Sequence, residues 1–130
     1  MNRVSLTFAV IALVAVTGGA VRSAPAAAGS YTAAQAAGGA KAYRANCSRC
    51  HGADLSGVSA PALKGAAIGG TQSVAEIYSF MVQQMPAGAP GSLRPATYAA
   101  IMAYLLQQNG HRPGSVPLTP AAARALTTKL

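Results

Sequence analysis

Cys47-Ser48-Arg49-Cys50-His51 is the stretch from which the rest of the chain is best read. Both cysteines of the chain and one of its two histidines fall within these five residues. Positions three apart on a helical turn share a face, so Cys47 and Cys50 present two sulfurs side by side, with His51 adjoining. A structural zinc site is a poor match, because it needs four ligands, with a second pair at short spacing. The only further histidine, His111, lies 60 residues away. A redox dithiol of thioredoxin type would sit in a βαβ context, and no strand is legible anywhere.

C-x-x-C-H is instead the haem attachment signature. The sulfurs of Cys47 and Cys50 can add to the two vinyl groups on one side of the ring, and His51 then projects toward the iron. A neutral imidazole nitrogen suits that metal. The sequence therefore predicts one covalently bound haem c, held by Cys47 and Cys50 and ligated by His51.

Composition agrees with an added apolar body. The 130 residues are 52% hydrophobic, but alanine inflates the figure, and there is no Trp. Beyond residue 28 the chain holds one Phe and five Tyr, with scattered Leu, Ile, Val and Met. The length suits one small domain, and so small a domain buries a modest share of its surface. Asp54 and Glu76 are the only acidic side chains, which argues against a carboxylate-pair hydrolase. Two cysteines exclude a disulfide-dense scaffold.

Working outward, the chain reads as helices and loops. Thr32 can cap a helix reaching about Cys47, although Gly38 and Gly39 each cost about 1 kcal/mol relative to Ala in it. Residues 52–70, rich in Gly, Ser, Pro and Ala, read as a loop. Ser73-Val74-Ala75-Glu76 has the S-x-x-E form of a capping box. Val74, Ile77, Tyr78, Met81 and Met85 then follow at helical spacing. Met85-Pro86 opens a second loop. Pro95 suits a first helical position, Tyr98, Ile101, Met102, Leu105 and Leu106 form a stripe, and Asn109-Gly110 is a stop signal. Residues 111–130 form a Pro-containing C-terminal tail in which Thr119-Pro120 can start one short helix. Whether that tail is a docking arm or a packed flap stays open. No internal repeat is found.

The N-terminus has the order of a secretory leader: one positive charge at Arg3, an apolar run from Val4 to Val16, then small residues. The expected division is a signal peptide at 1–28, with Ala20 and Ala26 as alternative cleavage points, a domain at 29–110, and the tail. An uncleaved inner-membrane anchor is the alternative, since 18 uncharged residues from Val4 to Val21 are marginal for a span. Either way the folded part is exported, so the expected location is periplasmic. The formal charge of +8 falls to +6 once Arg3 and Arg22 leave with the leader. No basic run suggests nucleic acid. An acidic protein partner is the better match, with membrane contact only if the leader is retained.

With these residues in view, the chain resembles the class I c-type cytochromes, in particular the small monohaem cytochromes that accompany periplasmic dehydrogenases and oxidases. The resemblance covers about residues 36–110. Gly39 and Tyr43, eight and four residues before Cys47, match the glycine and aromatic of the family's first helix, and Tyr104 the aromatic of its last. It implies an all-α cytochrome c fold whose N- and C-terminal helices cross closely at the glycine, which would account for the Gly38-Gly39 pair. Pro61-Ala62-Leu63-Lys64-Gly65 matches the family's P-x-L-x-G loop, where the proline carbonyl accepts the Nδ1–H of the haem histidine. Such a bond fixes the tautomer and raises ligand basicity.

The resemblance also implies a Met-Pro turn carrying the second axial ligand, here Met85, 34 residues after His51. A loop leaving a helix can fold over the second haem face, so the local reading agrees. Met81 and Met102 read as core. His111, beyond Gly110, and an open sixth position that binds gas or peroxide are the rivals. His/Met ligation favours Fe(II) and raises the potential. The expected role is a one-electron carrier and not an enzyme in itself. The alternative is the dedicated cytochrome subunit of a periplasmic dehydrogenase complex. A dehydrogenase or terminal oxidase with an acidic docking surface is the expected partner, and Lys41, Arg44, Arg49 and Lys64 are the candidates to meet it. Tyr43, Tyr78, Tyr98 and Tyr104 read as core and Asp54 as a loop acceptor. With no Trp available, Gln83 and Gln84 are candidate propionate donors.

Overall fold

The computed structural model describes residues 29–68 and 70–130. The expected leader at 1–28, with its cleavage points, lies outside the described residues. Among the described residues five helices follow one another: α1 (Ala33–Asn46), α2 (Ser48–His51), α3 (Val74–Gln84), α4 (Pro95–Gln108) and α5 (Pro120–Ala125), with a 3-10 turn at Gly65–Ala67. The described residues contain no strand, only an isolated bridge between Ser73 and Lys129. No helix among them is long and apolar enough to cross a membrane.

Local chemistry sets the helix starts. The Thr32 hydroxyl accepts the amide of Gln35 at 3.1 Å. At α3 the capping box is complete: Ser73 Oγ accepts the Glu76 amide at 3.3 Å and the Glu76 carboxylate accepts the Ser73 amide at 2.6 Å. The Thr119 hydroxyl caps α5 by accepting the Ala122 amide at 3.1 Å. Each cap is worth about 1 kcal/mol. Pro95 opens α4, where its missing N–H costs nothing.

Packing is dominated by α1 against α4. Ala36, Gly39 and Tyr43 form the buried face of α1, at the i, i+3, i+7 spacing of one stripe. A Cβ placed on Gly39 would lie 1.8 Å from the Ala100 carbonyl oxygen. Only a bare α-carbon lets the two backbones meet. Gly38 corrects the expectation that both glycines serve the crossing: it is exposed, and nothing approaches its Cβ position within 4 Å. The core also takes Tyr31, Tyr43, Tyr78 and Tyr98, with Ile101, Met102, Leu105 and Leu106 from α4. Tyr104 departs from the expectation of a core tyrosine. It is half-buried and packs its ring on Tyr43, centroids 5.3 Å apart.

Residues 111–130 lie against the helices as a strap. Tyr31 donates its hydroxyl to the His111 carbonyl. Gln35 holds Leu118 by two bonds, donating from Nε2 to its carbonyl at 2.7 Å and accepting its amide on Oε1 at 2.8 Å. Leu118, Ala123 and Leu130 are buried. Further on, the Val74 and Ala75 amides donate to the Thr128 and Leu126 carbonyls at 2.9 and 3.0 Å. The Arg124 guanidinium sits 5.4 Å from the Tyr78 ring centroid. Gln35→Ala removes both bonds to Leu118, and at roughly 0.5–1.5 kcal/mol per bond it should lower stability by about 1–3 kcal/mol. Thermal melting should show this as a drop of several degrees, since about 1 kcal/mol moves Tm by about 4–8 °C in a domain of this size. An unchanged Tm would mean the strap is held by its apolar contacts alone.

Candidate functional site

The end of α1 runs straight into the cysteine motif. The Cys47 amide donates to the Tyr43 carbonyl at 2.8 Å, and the Cys47 carbonyl accepts the amides of Cys50 and His51 at 3.2 and 3.0 Å. Residues 47–51 therefore form the tight helical turn that the spacing predicts. The loop that follows folds back over it. The Cys50 carbonyl accepts the amides of Val58, Ser59 and Ala60 at 3.0–3.1 Å, and the His51 carbonyl accepts that of Gly57 at 2.8 Å. Tyr43, itself fully buried, donates its hydroxyl to the Gly52 carbonyl at 2.7 Å.

This wrapping brings Pro61 to His51, and His51 Nδ1 lies 2.8 Å from the Pro61 carbonyl oxygen. A carbonyl can only accept, so Nδ1 carries the proton. With the proton on Nδ1, it is Nε2 that can offer a lone pair to a metal.

Cys47, Cys50, His51, Pro61 and Met85 all line one cleft of about 570 Å³, within the usual range for cofactor sites. Its walls are largely apolar, with Ile68, Ile77, Met81, Ile101 and Leu105 among them. Met85 ends α3 in an extended conformation, and its carbonyl accepts the Tyr98 hydroxyl at 2.6 Å. The methionine backbone is thus tied to α4. Met81 both belongs to the core and faces the cleft, whereas Met102 is wholly core. His111 does not line the cleft. Gln83 and Gln84 are exposed and do not line it either. The amides that do line it belong to Asn46 and Gln72.

The electrostatics are simple. Asp54 accepts Ser56 Oγ at 2.6 Å, the Ser56 amide at 3.1 Å and Lys64 Nζ at 3.2 Å. These contacts, the Ser56 bonds foremost, hold its carboxyl well below the usual range. Asp54 is a loop acceptor, and Lys64 is committed to it. Lys41, Arg44 and Arg49 are exposed and form no ion pair among the described residues. Burial pushes the Cys47 thiol up to about 11. That is opposite to the depressed thiol of a thioredoxin-type dithiol, and no cluster of metal-binding side chains is found among the described residues.

The residues fit a haem: two unbridged thiols three positions apart, an imidazole with Nε2 available, a methionine thioether and apolar walls. Sequence reasoning missed Tyr98 and Asn109 as site residues. Asn109 ties the loop after Pro61 to the end of α4, through its side-chain bonds to Leu63 and Gly65 at 3.1 and 3.0 Å.

Comparison with known proteins agrees with this reading. The family described as cytochrome c oxidase, cbb3-type, subunit III matches residues 34–105, which include the whole of the cysteine motif and Met85. Cytochrome c-550 of Bacillus subtilis (strain 168) is 44% identical over 54 residues, 42% of this chain and 42% of that protein. The chain thus spans well under half the length of that curated relative. No solved structure matches. The chain belongs to the cbb3-type subunit III family of c-type cytochromes, haem-based electron carriers whose haem is covalently bound.

Proposed function

We propose that this protein is an exported, periplasmic one-electron carrier whose haem is attached through Cys47 and Cys50 and held axially by His51 and Met85. The observation that carries the reading is the convergence of those four side chains on one apolar cleft, with His51 Nδ1 committed to Pro61. When bound, haem supplies a reversible Fe(III)/Fe(II) couple. The chain supplies the rest. Pro61 keeps the imidazole oriented and more basic. Tyr98 holds the Met85 backbone in place. The Met85 thioether would be the second ligand to the iron, where it would keep O₂ and peroxide out and raise the potential. The apolar walls keep water from the ring and act in the same direction. With His51 and Met85 both bound to the iron, the expected reaction is outer-sphere electron transfer.

The family match favours a specific partner class, a terminal oxidase complex, and with it the role of a dedicated cytochrome subunit. The exposed Lys41, Arg44 and Arg49 suit an acidic docking surface on that partner. Association should then slow steeply as salt rises.

The test is an absorption spectrum of protein matured in a periplasm, taken oxidised, reduced, and reduced with carbon monoxide, together with its mass. The expected result is a haem-plus-polypeptide mass, a positive midpoint potential, and a reduced spectrum that carbon monoxide leaves unchanged. Ready binding of carbon monoxide would remove Met85 from the sixth position. A colourless protein with two free thiols would overturn the reading.

A further inference from the structure

We infer that Asn109 is a positioning residue for the axial histidine, acting on His51 through the loop that carries Pro61. This inference deepens the haem-ligation reading and rests on it. Asn109 follows α4, and its side chain makes three bonds. Nδ2 donates to the Leu105 carbonyl at 2.9 Å and to the Leu63 carbonyl at 3.1 Å, while Oδ1 accepts the Gly65 amide at 3.0 Å. One amide thus uses both donors and its acceptor. It ties the last turn of α4 to two backbone groups of the loop, 46 and 44 residues away along the chain.

The tied segment begins two residues after Pro61. On its other side, Pro61 is bracketed by the Ala60 amide, which donates to the Cys50 carbonyl at 3.1 Å. That bracket is anchored in the cysteine motif itself. Asn109 supplies the anchor from the opposite flank, on the helix that forms the centre of the core. Leu63 adds one more bond, its amide donating to the Leu55 carbonyl at 2.9 Å. The direction of the Pro61 carbonyl is set by the backbone on either side of it, so fixed flanks keep it aimed at the His51 proton at 2.8 Å. Releasing the Asn109 flank should let the carbonyl swing, weaken the Nδ1–H bond and make the imidazole a poorer donor to the oxidised iron. The potential should rise.

A helix-end asparagine could instead matter only for stability, and Gly110 separates the two roles. Gly110 has φ +89° and open space around its Cβ position. Gly110→Ala therefore strains the helix end without touching any Asn109 bond. The experiment compares holoprotein carrying Asn109→Ala, Asn109→Ser or Gly110→Ala with the unaltered protein. The serine variant is the milder one, its side chain too short to span Leu63 and Gly65 together. The readouts are the solvent exchange of the His51 Nδ1 proton in the reduced protein, by NMR, the midpoint potential, and Tm.

Exchange at least tenfold faster and an upward shift in potential are expected in both Asn109 variants. Gly110→Ala should lower Tm and leave both His51 readouts unmoved. Equal movement of those readouts in Gly110→Ala, or none in the Asn109 variants, overturns the inference. Failure of both Asn109 variants to take up haem, with Gly110→Ala loading normally, also counts against it, since Cys47 and Cys50 remain available for attachment. An unaltered protein that lacks haem, or lacks a ligated histidine with a protected Nδ1 proton, fails the parent reading before any variant is compared.

Discussion

Gly39→Ala should destabilise the holoprotein by about 3 kcal/mol or more, whereas Gly38→Ala should stabilise it by about 0.5–1 kcal/mol. The two substitutions are chemically identical and adjacent in one helix, so propensity alone predicts the same gain of about 1 kcal/mol for each. The crossing of α1 with α4 separates them. At Gly39 the new methyl would stand 1.8 Å from the Ala100 carbonyl oxygen and 2.5 Å from its carbon. Both are backbone atoms of α4, so no rotamer change relieves the contact, and the helices must move apart along the largest packed interface of the fold. Overpacking costs of about 1–3 kcal/mol are typical where side chains can yield, and here they cannot. At Gly38 nothing meets the methyl within 4 Å, so only the propensity gain remains. Denaturant unfolding of both variants checks the pair. Equal shifts of one sign would mean that the helices do not meet at Gly39.

The contrast marks where sequence reading stops. The helix starts were legible because their signals are local: Thr32, Ser73 with Glu76, and Pro95 each act on backbone groups within a turn. The cysteine motif was legible because its chemistry is compressed into five residues. That Gly39 and not Gly38 faces α4 was implied only by the family resemblance, because it depends on how α1 is rotated against a helix some 60 residues later, and a weakly amphipathic, alanine-rich sequence does not state that rotation. The same limit hid Asn109, which reads locally as a stop signal. Its bonds reach Leu63 and Gly65 only after the chain has closed. Tyr98 was legible as core, but its hydroxyl bond to the Met85 carbonyl was not. Nor does nearness in sequence to Met85 place Gln83 and Gln84 in the cleft lining, from which both are absent. The strap at 111–130 was undecidable because three prolines and few apolar residues suit a free arm and a packed flap equally. Its anchors, among them the pairing of Gln35 with Leu118, 83 residues apart, form only once the chain has closed.

Met85→Ala should change the chemistry of the site while leaving the fold nearly intact, and Met102→Ala should do the reverse. Met85 is half-buried, ends α3 outside the helix, and has its backbone carbonyl held by Tyr98 at 2.6 Å. Truncating the side chain preserves that bond, so the loop keeps its course and the thioether alone is lost. The reduced protein should then bind carbon monoxide, and the long-wavelength charge-transfer band of Met–Fe(III) bonding should disappear. The midpoint potential should fall by on the order of 0.1–0.3 V, within the ~0.8 V over which axial ligands set haem potentials. Met102 is fully buried and does not line the cleft. Its replacement by alanine opens a core cavity, with a cost of about 2–5 kcal/mol, and should leave band, potential and carbon monoxide response as they are. Met81 supplies the decisive control, because it lines the same cleft one helical turn earlier. If the band survives in Met85→Ala and vanishes in Met81→Ala, the sixth ligand is Met81, and the chain has placed it on the helix instead of in the Met-Pro turn. Loss of the band in Met85→Ala alone assigns the ligand to Met85 and leaves Met81 as wall.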